Sequence, residues 1–118
     1  MGTHPNVLLV LELTTDDLPM KTYRKILSYC GVNEDDDIDI EGKKYHHLVM
    51  QEDDYDDGWQ IKSHPGRILF FDLVTYGYGD SIDWDVLESQ KDELSLWSVT
   101  ICDKFNCTSR IFVTANYW

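Results

Sequence analysis

Two apolar runs constrain the fold more than any other feature of this chain. Val7 to Leu13 reads VLLVLEL, and Arg67 to Tyr76 reads RILFFDLVTY. In both, apolar residues fill successive positions rather than alternate ones. A strand made from either run has no face to offer water, so it belongs inside a sheet covered on both sides. The second run is the stronger strand signal and is expected at the centre of the sheet. Asp72 is its one exception and needs a partner, because a carboxylate taken out of water is costly unless it is paired.

The other elements arrange themselves around these runs. Thr14 or Thr15 is expected to cap a helix, with Asp16 and Asp17 in its first turn, where carboxylates complement the helix dipole. Leu18, Tyr23, Ile26, Leu27 and Cys30 recur at helical spacing. Lys21, Arg24 and Lys25 fall on the other face, and Pro19 lies in the first turn, where it is tolerated. Gly31 closes the helix. Ile38 to Glu41 and Lys44 to Gln51 read as a hairpin around Glu41-Gly42-Lys43, Trp59 to Ser63 as a short strand, and His64-Pro65-Gly66 as a turn. After a Gly77 to Asp80 loop, Ser81 or Asp83 begins a second helix that runs to Leu94, with Trp84, Leu87, Lys91 and Leu94 along one side. Trp97 to Phe105 and Arg110 to Trp118 alternate apolar and polar residues and predict a terminal hairpin around Asn106 to Ser109. The order predicts an α+β fold in one domain, residues 1–118. Its mostly antiparallel sheet has five to seven strands and two helices on one face.

Composition narrows the function. Of the 118 residues, 42% are hydrophobic and 13% aromatic, enough for a core. The formal net charge is −12, and the ten basic residues are dispersed. A domain this negative repels phosphates and anionic lipid, so direct nucleic-acid or membrane binding is disfavoured. Three cysteines (Cys30, Cys102 and Cys107) make no disulfide framework and point to a reducing compartment, although Cys102 and Cys107 can face each other across a hairpin. No signal peptide or transmembrane run is visible, which predicts a cytoplasmic protein. Met1 to His4 is left out of the argument.

No constellation of reactive residues stands out. Asp37-x-Asp39-x-Glu41-Gly42 imitates the opening of a calcium loop, but Leu48 stands where the bidentate acid is required. His46 and His47 are strand neighbours that point to opposite faces and cannot share a metal. Cys30 lies on an apolar helix face, Cys102 and Cys107 lack an activating neighbour, and Gly77-x-Gly79 is no phosphate loop. The expectation is a protein that is not an enzyme and needs no cofactor or metal.

Charge distribution is more informative. Residues 34–57 hold 11 of the 22 acids, in two clusters: Glu34-Asp35-Asp36-Asp37 and Glu52-Asp53-Asp54-Tyr55-Asp56-Asp57. Such crowding costs stability, and folding does not require it. Charge runs often do no more than keep a loop solvated. Here, however, Tyr45, Tyr55 and Trp59 interleave with the acids, and Tyr76 and Tyr78 follow. Aromatics supply contact area while carboxylates steer and pair with Lys and Arg. The contact residues expected are Glu52, Asp53, Asp54, Tyr55, Asp56, Asp57 and Trp59, with Tyr78 in the later loop, and Asp35, Asp36 and Asp37 as a second patch. The partner expected is a basic protein met by a monomer.

In size, charge, α+β makeup and the Glu52 to Asp57 segment, the chain resembles the bacterial immunity proteins that protect against contact-dependent inhibition toxins and colicins. That resemblance implies stoichiometric occlusion of a toxin (nuclease) domain, the acids standing in for substrate phosphates. Two other readings fit the same residues: a phage-encoded nucleic-acid mimic that antagonises a host DNA-binding complex, and a small enzyme or ligand-binding domain with a concave pocket.

Overall fold

The computed structural model describes residues 5–51, 66–76 and 81–117. Their elements are β1 (Pro5–Thr15), α1 (Pro19–Cys30), β2 (Ile38–Ile40), β3 (Lys43–Val49), β4 (Ile68–Tyr76), α2 (Trp84–Phe105) and β5 (Cys107–Tyr117). The fold is α+β: one five-stranded sheet in the order β2-β3-β4-β1-β5, every pair antiparallel, with two helices.

The two apolar runs become the interior strands β1 and β4, paired Leu9 to Asp72 and Leu13 to Ile68. Their side chains divide between two cores. Leu9, Leu11, Leu13, Ile68 and Phe70 meet Tyr23, Ile26 and Leu27 of α1 and Leu87, Leu94 and Ile101 of α2, so both helices pack on that face. Leu8, Val10, Leu69 and Phe71 gather with Met50 on the opposite face. Successive strand residues point to opposite faces, which is why uninterrupted apolar sequence marks these two strands as the interior ones. Asp72 finds its required partner in Gln90, whose Nε2 donates to Oδ2 at 2.7 Å.

The first helix starts later than its capping threonines suggest. β1 continues through Thr15, pairing Thr14 with Thr108 and Thr15 with Cys107, so the threonines serve the strand. Thr15 Oγ1 accepts a hydrogen bond from the Asp17 N–H, but neither Asp16 nor Asp17 is in the first turn of the helix. Leu18 stands at the N-cap without a side-chain cap and is 74% exposed, off the buried stripe expected for it. Pro19 opens the helix and Gly31 ends it at φ 72°.

The larger correction concerns residues 97–105, which are helix and not strand. α2 runs eleven residues past the predicted end at Leu94, to Phe105. Its buried residues are Leu87, Gln90, Leu94, Ser98 and Ile101, a regular three- and four-residue spacing. Trp84 and Lys91, placed on that side by the sequence, are exposed. Asp83 caps the start, accepting from the Asp85 and Val86 N–H groups, and Asn106 ends the helix at φ 54°. The terminal hairpin is therefore absent, and β5 pairs along its whole length with β1. Cys102 in the last turn of α2 lies 3.2 Å from Cys107 at the start of β5, sulfur to sulfur, both as free thiols. Burial first, and Cys102 second, push the Cys107 thiol up to about 12, so it is protonated at neutral pH.

Candidate acidic surface

The expected contact residues Glu52, Asp53, Asp54, Tyr55, Asp56, Asp57, Trp59 and Tyr78, the strand predicted at 59–63, the turn at His64-Pro65 and the loop at 77–80 lie outside the described residues. The other cluster, Asp35 to Asp37, is described and exposed. It forms a turn leading into β2, at one edge of the sheet.

This turn is held at several points. The Asp36 N–H donates to the Asn33 carbonyl at 3.2 Å, and Asn33 Nδ2 donates to Asp36 Oδ2 at 3.4 Å. His47 Nε2 is bonded to the Asp36 carbonyl, and its Nδ1 to the Tyr23 hydroxyl. A carbonyl only accepts, so Nε2 carries a proton, and in the neutral ring Nδ1 accepts from Tyr23. Burial, with Glu34 adding to it, pushes the Tyr23 phenol up to about 12, which keeps it a donor. The relay ties the acidic turn to α1 and β3. His46, on the other side of β3, sits 2.9 Å from Asp37 Oδ1 and forms an ion pair with it when protonated. Glu34 pairs with Arg24 at 3.1 Å. Asp35, Asp36 and Asp37 are all exposed, and together they carry the negative potential this turn presents to a partner.

Along the same edge, the β2–β3 hairpin turns at Glu41 and Gly42, both with positive φ (52° and 86°). That matches the I′ turn preferred by two-residue hairpins, in which Asn, Asp or Gly usually fills the first position. The Gly42 N–H donates to Asp39 Oδ1 at 2.9 Å. Glutamate is a costly residue for left-handed backbone, and such strain gathers where function holds it.

Glu41 faces α2 across a groove of about 440 Å³ lined by Gly42, Lys43, Asp85, Val86, Ser89, Gln90 and Glu93. Three carboxylates thus share the groove with one lysine. Beneath it, buried Tyr45 is hydrogen-bonded to Gln90, which in turn holds Asp72. Burial is the main cause pushing the Tyr45 phenol up; the bond to Gln90 lowers it, and the nearby charges of Asp72 and Glu93 push it up further. Trp84, 71% exposed, stands at the head of the helix.

Sequence reasoning missed Asp85, Glu93, Val86 and Trp84 as candidates. The acids of α2 come beside Glu41 only through the packing of the helix on the sheet, and no spacing in the chain reports that. As expected, His46 and His47 make separate contacts. Among the described residues no group of three or more His, Cys, Asp or Glu is arranged to hold a metal, and no helix is long and apolar enough to cross a membrane. No protein-family model, curated protein or solved structure matches this chain.

Proposed function

We propose that the protein is an acidic inhibitor of the immunity type, binding a basic toxin (nuclease) domain and occluding its nucleic-acid groove. The carrying observation is the concentration of carboxylates on braced backbone at the β2 side: Asp35 and Asp36 on a turn anchored by His47, and Glu41, Asp85 and Glu93 around one groove. Braced carboxylates lose little freedom on binding, so they can stand in for the phosphates of a substrate. Val86 and Trp84, exposed nearby, are apolar contacts that such a partner would cover. Asp54 and Asp56 are proposed to steer the same partner.

Pull-down from lysate on the purified chain, followed by identification of the captured protein and a salt titration, tests this reading. Support is a cationic protein whose activity is blocked at one-to-one stoichiometry and whose affinity falls as salt rises. Charge reversal at Asp35 and Asp36, or at Asp54 and Asp56, should slow association roughly tenfold at low salt and flatten its salt dependence. Capture that is indifferent to salt, or association rates unmoved by both reversals, would remove the reading.

A further inference from the structure

We propose that β5 is a self-association edge, and that two copies of this chain pair their β5 strands antiparallel to form one ten-stranded sheet. β5 is the outermost strand on its side, and among the described residues nothing pairs with its far edge. About half of its residues therefore turn their N–H and C=O groups away from β1. Edges of this kind are usually guarded by shortness, proline, inward-pointing charge or lysine. β5 is thinly guarded: it is eleven residues long, reads CTSRIFVTANY, and contains no proline, lysine or acid. Its single charge, Arg110, is directed at Glu12 of β1 at 3.5 Å and over the Phe112 ring at 4.4 Å.

Charge selects a second copy as the occupant. The chain carries 22 acids, yet none falls on β5. The acidic β2 edge is four strands away, about 19 Å at normal strand spacing and beyond twice the ~8 Å screening length of physiological salt. Two copies joined at β5 thus keep their acidic edges at opposite ends of the shared sheet. The strand is also compatible with itself. A two-fold centred on Phe112, the middle residue of β5, sets Ile111 opposite Val113 and Arg110 opposite Thr114, so β-branched residues face each other and the two arginines do not. Val113, 48% exposed, is left open on the single chain. In this proposal the free protein is a dimer rather than the monomer expected from the sequence, and each copy presents its acidic side outward.

Sedimentation velocity over a concentration series, run at low and high salt, tests the proposal on the full chain. The expected result is a species of twice the 13.8 kDa chain mass appearing in the ~10 µM range, favoured by added salt because salt screens like charges. That sign is opposite to the one expected for binding a basic partner, so the two proposals fail separately. Val113→Lys should weaken pairing about tenfold or more with an unchanged circular dichroism spectrum, and Ala115→Lys serves the same purpose should the first variant not fold. Hydrogen exchange on the unaltered protein should show β5 amides gaining protection with concentration. A single-chain mass at every concentration overturns the proposal. So does a dimer that survives both substitutions in folded protein, or one whose formation leaves β5 exchange unchanged.

Discussion

The two edges of the sheet are built in opposite ways. β2 is three residues long, flanked by Asp35, Asp36 and Asp37 on one side and Glu41 on the other, with Asp39 exposed between two buried isoleucines. β5 is eleven residues long, carries no acid and lies open along its far side among the described residues. A short charged edge discourages strand pairing and advertises charge; a long neutral edge does the reverse. The difference teaches that the acids are unevenly placed on the sheet: they gather at the β2 edge, while β5 carries the single charge of Arg110. Charge at β2 is a guard of the kind short edge strands carry, and Glu41 with the acids of α2 adds to it around the groove.

The largest effect should come from Phe70, fully buried beneath α1 and α2 on an interior strand. Phe70→Ala should cost about 3–5 kcal/mol in denaturant unfolding and weaken both edges together, which sets the baseline for edge-specific variants. Gln90→Ala should separate them. It leaves buried Tyr45 and half-buried Asp72 without their shared partner, at about 1–3 kcal/mol, and should disturb the groove while leaving β5 self-association intact. A loss of both would show that the edges are coupled through the core.

Tyr23→Phe removes the donor to His47 and should cost about 1 kcal/mol while loosening the Asp35 to Asp37 turn, read as faster hydrogen exchange there. Its pH signature has a definite sign. The folded-state phenol is raised from 10.0 to about 12, so its contribution is complete below pH 10 and disappears as pH rises toward 12. The unaltered protein should lose stability through that window, and Tyr23→Phe should lose less. The smallest expected effect is a gain. Glu41→Asn relieves left-handed backbone by up to about 1 kcal/mol yet removes a groove carboxylate, so melting temperature should rise as partner association slows.

Much of the fold was legible because it depended on local pattern. The uninterrupted apolar runs identified β1 and β4 as interior, Gly31 marked the end of α1, and Glu41-Gly42 marked the hairpin. The second half of α2 was not legible, for two physical reasons. Trp97, Val99 and Ile101 are strand-favouring residues that alternate with Ser98 and Thr100, and the buried helical stripe contains Gln90 and Ser98, which hide its period. Ser98 is accommodated by donating to the Ser95 carbonyl at 2.8 Å, and Gln90 by holding Asp72, so tertiary contacts decide in favour of helix. For the candidate site, Asp35 to Asp37 were visible as a charge run. The groove was not, because Glu41 meets Asp85 and Glu93 only after α2 packs on the sheet.

The most direct measurement is the stopped-flow association rate with the captured basic protein, across a salt series, for two variants in parallel: Asp35→Asn/Asp36→Asn/Glu41→Gln at the acidic edge and Val113→Lys at the neutral one. The account predicts that the triple variant associates about tenfold more slowly at low salt with a shallower salt slope, whereas Val113→Lys matches the unaltered protein. Equal rates for the triple variant and the unaltered protein, or a loss confined to Val113→Lys, would contradict it.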